Sequence, residues 1–260
     1  MTTDPSLIDY VIGSSVRRAV LRRIGRNKQS TASLLESLEA SESAIYDALS
    51  ELAAVDLIDQ EENGETWYLT GAGRIVLDRI RVQNRTNQLL EIDRAYWRNH
   101  RIDVLPASYR RELHVLNDAE VLRATGLDPN GPIREVADTI ETADRIDLAA
   151  VVYNQRIGEA FLQSTADKRL VLNTTLVEEF LLEEGEEDLT QLKAAVRVTD
   201  VSTAIALTDN TAFVSLPPRD GLFDPQAVLQ SESETGREWA RRLFDYLWRD
   251  GMPITEYLAQ

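Results

Sequence analysis

The sequence predicts a two-domain chain of mixed class, α+β followed by α/β. Three short helices closed by a β-hairpin come first, then a long connecting helix, then a mixed α/β sheet. Two patterns carry this prediction. Apolar residues recur at helical spacing up to an Asn63-Gly64 hairpin signal, and strands alternate with helices beyond residue 133. Charge divides the chain in the same place: residues 1–100 hold 12 bases and 15 acids, residues 101–260 hold 16 and 29.

Val16, Ala19, Val20 and Ile24 line one face of a first helix that ends near Gly25. Ser30 can cap a second helix, with Leu34, Leu35 and Leu38 facing inward. After the polar turn Glu39-Ala40-Ser41-Glu42, Ser41 caps a third helix, which buries Ile45, Ala48, Leu49, Leu52 and Val55. Ser43, Tyr46, Asp47 and Ser50 fall on its outward face. Two short helices joined by a tight turn form a helix-turn-helix. Leu57–Glu61 and Thr66–Leu69 then read as strands on either side of Asn63-Gly64, a turn pair suited to positive φ. A ribbon directly after the helix pair is a wing.

The segment Ser43–Leu77 is similar to archaeal winged-helix transcription regulators of the sugar-sensing and arsenical-repressor-like groups. Glu51-Leu52, Leu57-Ile58, Tyr68-Leu69-Thr70 and Gly73-Arg74 stand in the places of that pattern, with Asp56 where a glycine is usual. The resemblance implies a DNA-binding winged helix.

From Ile75, apolar residues seven apart (Val82, Leu89, Tyr96) predict a connecting helix over 73–102, suited to a homodimer that reads twofold half-sites. A helix packed on its own second domain is the alternative. The expected domains are therefore 1–72, 73–102 and 103–260. Beyond the Leu127–Pro132 turn, the pattern predicts helix 133–143, strand 146–153, helix 158–162, strand 169–173, helix 176–182 and strand 195–198. A hairpin, 204–207 with 212–216, and a closing helix, 235–249, complete the sheet domain. The stretch Leu207–Trp248 resembles the second domain of archaeal filamentation and methanogenesis regulators. Thr208-Asp209, Ser215-Leu216, Asp220-Gly221, Ser231, Glu238-Trp239 and Leu243-Phe244 carry that likeness. Together the two resemblances cover about residues 15–250 and imply a regulator with an effector-sensing domain.

Composition narrows the function. The formal charge is −16, with Lys28, Lys168 and Lys193 the only lysines among 28 basic residues. Scarce lysine with dispersed acids points to a salt-rich cytoplasm, archaeal as the two resemblances imply, where a net negative charge does not argue against DNA binding; an ordinary acidic protein is the alternative. Zero cysteines exclude disulfides and thiol catalysis. His100 and His114 are too few for a histidine-rich metal centre, and no cofactor is expected. No Gly-x-Ser-x-Gly elbow or phosphate loop in a βαβ unit occurs, which places a small-metabolite enzyme second to a regulator. A non-DNA protein-interaction module is a further alternative. Glu178-Glu179 and the Glu183–Asp188 acidic run could bind cations but read first as a solvated helix end. Neither a leader pattern after Met1 nor an apolar run of membrane length is present, so a cytoplasmic location is expected.

Two sets of site residues follow. Tyr10–Thr31 contains no acid, so Arg17, Arg18, Arg22, Arg23 and Lys28 are expected on phosphates of a double-stranded operator. Ser41, Ser43, Tyr46, Asp47 and Ser50 are expected at base edges, and Asn63, Gly64 and Thr66 at backbone or minor groove. In the second domain, ligands of an open α/β sheet sit at the carboxyl ends of strands. Tyr153, Asn154, Asn173, Thr174, Thr199 and Asp200 lie there and would suit a small polar metabolite.

Overall fold

A computed structural model of the chain describes residues 6–62, 64–183 and 194–259. It divides into two compact units, 1–85 and 86–260.

The first unit has the winged-helix order. Helices α1 (Leu7–Ile12) and α2 (Ser15–Ile24) precede the short strand β1 (Gln29–Ser30), α3 (Thr31–Ser37), α4 (Glu42–Ala54) and strands β2 (Ile58–Gln60) and β3 (Thr66–Leu69). Serine begins each helix: Ser14, Ser30 and Ser41 accept from the amides of Arg17, Ser33 and Ala44, satisfying donors the helix leaves open. The core gathers Val20, Leu21 and Ile24 from α2 with Ile45, Leu49 and Leu52 from α4. The three strands pair antiparallel in the order β1-β3-β2, with Ile58 opposite Leu69 and Gln29 opposite Trp67.

The wing turn is wider than a two-residue Asn-Gly loop. The Glu61 amide bonds Thr66 O at 2.9 Å and the Gly64 amide bonds Glu61 O at 2.7 Å, leaving residues 62–65 between the strands. Gly64 takes the left-handed conformation (φ +69°), whereas Asn63 lies outside the described residues.

Asp56, before β2, also lies in the left-handed region, at φ 58°. Its carbonyl accepts from Thr70 Oγ1 at 2.6 Å, and the same hydroxyl accepts from the Gly73 amide at 3.0 Å. An L-residue in this conformation costs about 1–2 kcal/mol, aspartate being among the better tolerated. Asp56→Gly is therefore expected to raise stability by up to about 1 kcal/mol, while Asp56→Val lowers it by about 2 kcal/mol. Urea unfolding of the two variants checks the sign of each.

The predicted single helix over 73–102 is two helices, α5 (Gly71–Ile92) and α6 (Arg94–Asn99). Asp93 separates them: its backbone is extended (φ −158°) and its carboxylate accepts from the Tyr96 amide at 2.8 Å. The heptad seam is divided as well. Val76, Leu77 and Ile80 join the first core, Leu89 and Tyr96 join the second, and Ile75 is exposed. A boundary at 72 would cut α5 away from a core that its first turns complete. Gly73 seals that start, because a Cβ there would lie 1.9 Å from Leu57 O.

The second unit is an eight-stranded mixed sheet with helices on both faces. Its elements, after α7 (Ala107–Arg111), are β4 (Glu120–Arg123), α8 (Gly131–Glu141), β5 (Arg145–Ala150), α9 (Gln155–Gln163), β6 (Asp167–Asn173), α10 (Thr174–Glu183) and β7 (Ala195–Thr199). The hairpin β8 (Ala204–Leu207) and β9 (Ala212–Ser215), β10 (Ala227–Ser231), α11 (Glu234–Asp250), β11 (Met252–Pro253) and α12 (Ile254–Tyr257) follow. Strand order is β11-β7-β6-β5-β8-β9-β10-β4. β5, β6 and β7 are parallel, as expected where helices α9 and α10 connect them, and the remaining pairs are antiparallel.

Period-two alternation sends neighbouring residues to opposite cores. Ala149, Ile205 and Val214 pack with Trp239, Leu243 and Phe244 of α11. Leu148, Ala206 and Phe213 pack with α8 and α9 through Val136, Ile140 and Phe161. Asp93 also ties α6 to β4, where Arg123 Nε donates at 2.5 Å. That guanidinium bond holds the Asp93 carboxyl below the usual carboxylate range. The contact thus stabilises the fold above the ordinary carboxylate pKa, and its contribution is lost as pH falls through the lowered value.

Candidate nucleic-acid interface and ligand cavity

The outward face of α4 is built as the helical period requires. Ser43, Tyr46, Asp47 and Ser50 are all exposed, Tyr46 at 53%, while Ile45, Ala48, Leu49 and Leu52 are buried. Ser41 is partly committed, since its hydroxyl caps the helix and lies 3.2 Å from Ser43 Oγ. In the wing, Gly64 is exposed and Thr66 half-buried in β3.

The basic segment is less uniform than its sequence. Arg17 is held inside the unit: Nη1 pairs with Glu51 of α4 at 2.6 Å, Nε donates to Tyr10 O, and the guanidinium lies 4.0 Å over the Tyr10 ring. Lys28 pairs with Glu61. Arg18 and Arg23 are half-buried, and the Nε of each is buried without a hydrogen-bond partner. Arg22 and Arg26 are exposed, and neither makes an ion pair among the described residues. Two acids that share no local sequence with the segment, Glu51 and Glu61, thus neutralise two of its cations. Arg26 belongs to the same acid-free segment, lies just beyond α2 and is not among the residues expected on phosphates.

In the second unit a cavity of about 710 Å³ opens between the sheet and helices α8, α9 and α10. Leu148, Leu170 and Phe213 face it from the strands, Val136, Phe161 and Phe180 from the helices. Its walls are mainly apolar. Of the six strand-end residues Tyr153 and Asn154 line it, and the Asn154 side chain also caps α9 by accepting from the Ile157 amide at 3.2 Å. The other four expected residues do not line it. Asn173 and Thr199 are register partners at the ends of β6 and β7. Asn173 Nδ2 donates to Val201 O at 2.6 Å and its Oδ1 accepts from the Thr175 amide at 2.9 Å, while Thr199 Oγ1 donates to Asp250. These side chains hold turns, as residues of this type commonly do at strand ends. Thr174 begins α10 and Asp200 is exposed beyond β7.

Periodicity passed over several groups in the cavity wall. Lys168 is 7% exposed, with Nζ donating to Phe161 O and Ser164 O at 2.8 Å each, at the carbonyl end of α9. Ser215 is 6% exposed, and its Oγ is buried without a hydrogen-bond partner. Asp224 lines the cavity and receives His100 Nε2 at 3.0 Å, while His100 Nδ1 lies 2.8 Å from Tyr96 O. Burial pushes the Tyr96 phenol up, far from ionising, and its oxygen accepts from the Leu216 amide. Among the described residues no group of three or more histidine, cysteine, aspartate or glutamate side chains could hold a metal ion. No described helix is long and apolar enough to cross a membrane.

Residues 129–250 match the family model described as "Methanogenesis regulatory protein FilR1, middle domain". This segment, a little under half of the chain, is similar to that domain. The matched segment runs from the turn before α8 to the last turn of α11, and it contains most of the sheet and the cavity. Among curated proteins none matches. Solved structures give distant likenesses. An archaeal chromatin protein, TrmBL2, is 13% identical, with 95% of this chain and 98% of that chain covered at a TM-score of 0.41. The dimethyltransferase RosA from Streptomyces davawensis is 14% identical over 74% and 62%, at 0.24. An IclR-family putative transcriptional regulator from Rhodococcus sp. is 12% identical over 98% and 99%, at 0.22.

Proposed function

We propose that the chain is a DNA-binding transcription regulator, with α4 in the major groove of an operator and the cavity of the FilR1-like domain receiving an effector. The single observation that carries the reading is the winged helix with its exposed Ser43–Tyr46–Asp47–Ser50 face, joined in one chain to a domain similar to that of a regulator family. Arg22 and Arg26 supply phosphate contacts, which position a protein without reading sequence. Asp47 can accept from a cytosine amino group, the one base-edge donor in the major groove that suits a carboxylate on a C·G pair. A homodimer would present two such helices to two half-sites. The acidic, lysine-poor surface suits a salt-rich cytoplasm, where screening leaves short-range contacts to decide binding.

The test compares variants on DNA selected by the full chain from a random duplex library. Arg22→Glu with Arg26→Glu is expected to weaken binding to all sequences alike and to lower the salt dependence by about two phosphate contacts. Asp47→Ala is expected to keep general affinity and relax one position of the selected site, by about 1–3 kcal/mol of lost discrimination. Unchanged affinity of a folded double variant removes α2 from the interface. An unchanged base preference of the Asp47 variant removes its carboxylate from readout.

A further inference from the structure

The cavity specifies more about its occupant than its position does. Two of its charged groups are already engaged: the Lys168 ammonium by the carbonyls of Phe161 and Ser164, and the Asp224 carboxylate by His100. Glu179 remains, exposed on α10, and it disfavours an anion. The walls offer a sugar or a polyhydroxy acid too few partners, and unpaired polar groups of a ligand cost affinity when buried. One lining atom is incomplete among the described residues. Ser215 Oγ is buried and unpartnered on the strand face that also presents Phe213 to the cavity. A buried hydroxyl without a partner costs free energy that a ligand can recover by supplying the missing hydrogen bond. Volumes of about 300–1,000 Å³ hold small organic ligands, and the present one falls in that range.

We infer that the effector is a neutral, mainly apolar molecule carrying one hydrogen-bonding oxygen, an alcohol or ketone, which meets Ser215 Oγ. This inference rests on the reading of the cavity as the effector site, and it replaces the small polar metabolite that the strand-end residues suggest. Apolar surface fills the space between Phe161, Leu170 and Phe180, and the oxygen fixes the orientation. Tyr153 is exposed and packs against Gly158 of α9, and both line the cavity.

Isothermal titration calorimetry of the full chain with octan-1-ol, octanoate and octylamine, equal in carbon number, tests the class. Octan-1-ol is expected to bind at one per chain and at least tenfold more tightly than either ion. Ser215→Ala is expected to weaken octan-1-ol by about three- to tenfold, the worth of one hydrogen bond. It is also expected to raise the thermal midpoint of the unliganded chain, because it removes the unpartnered hydroxyl. Tighter binding of octanoate or octylamine, no binding of the alcohol, or an alcohol affinity indifferent to Ser215→Ala overturns the inference. The effector reading is scored separately, by DNA affinity at saturating ligand. Alcohol-selective binding that leaves DNA affinity unchanged overturns that reading alone, and anion-selective binding that shifts DNA affinity overturns this inference alone.

Discussion

Trp239→Ala is expected to cost about 3–5 kcal/mol, the loss typical of a large aromatic side chain removed from a core. Trp239 is fully buried on α11, at the centre of the cluster that joins this helix to one face of the sheet. Its indole Nε1 donates to Tyr109 O at 3.2 Å, and its ring meets Tyr109 edge-on at a centroid distance of 6.2 Å. Alanine would leave a void lined by Ala149, Leu243 and their neighbours, and would remove one of the two hydrogen bonds to the Tyr109 carbonyl, which keeps the Glu112 amide. Trp239→Phe keeps most of the apolar volume and loses the hydrogen bond, so it is expected to cost less than half as much. Urea titration should show a lower midpoint for both, in that order, with the slope unchanged. Equal losses would mean that the indole nitrogen, not the ring volume, holds α11 in place.

Asp147→Ala is the second large effect, expected at about 3 kcal/mol. Asp147 sits on β5 with its side chain 2% exposed, and it receives Arg169 Nε at 2.6 Å and Nη2 at 2.7 Å in a two-pronged contact. The same guanidinium pairs with Asp245 at 2.9 Å and lies over the Phe244 and Trp248 rings. Hydrogen bonding to Asp147 raises the Arg169 pKa above its ordinary value, so the cation is permanent. Removing the carboxylate leaves a partly buried cation with one exposed partner. Because Asp245 remains, the loss sits at the low end of the 3–5 kcal/mol typical of a broken buried pair. Replacing both residues, Asp147→Leu with Arg169→Leu, is expected to recover most of the stability, since the pair repays little beyond its own desolvation. A double variant as unstable as Asp147→Ala alone would show the pair to be a net stabiliser.

The same residues show which parts of the molecule are legible in sequence. Helices with a clear apolar stripe and a serine cap, such as α4 and α11, fall within one or two residues of their sequence-based bounds, because stripe and cap are local. The parallel strands β5 to β7 also read as short apolar runs between helices, although β5 ends at Ala150, three residues before its expected end. Pairings distant in sequence did not: β4 with β10, β1 with β3 and the terminal β11 have too few residues to carry a period. The break at Asp93 escaped notice for a different reason. The heptad pattern continues through it, and the contacts that mark it, from the Asp93 carboxylate to the Tyr96 amide and to Arg123, leave no trace in that pattern. Among site residues, the exposed face of α4 followed from periodicity alone. The neutralisation of Arg17 and Lys28 depends on acids thirty or more residues away, which no local pattern could signal. Ser215, two residues after Phe213 in an apolar strand, is chemically conspicuous only once the cavity beside it is known.

The proposed function requires DNA recognition by the first unit. The direct measurement is equilibrium binding of the full chain to a duplex selected from a random library and to its scrambled counterpart, across a KCl range in which circular dichroism stays constant. An enriched site is expected to bind at least about 10³-fold more tightly than the scrambled duplex, with affinity for both falling as salt rises. A folded chain that enriches no sequence and binds the two duplexes alike would contradict the proposed function.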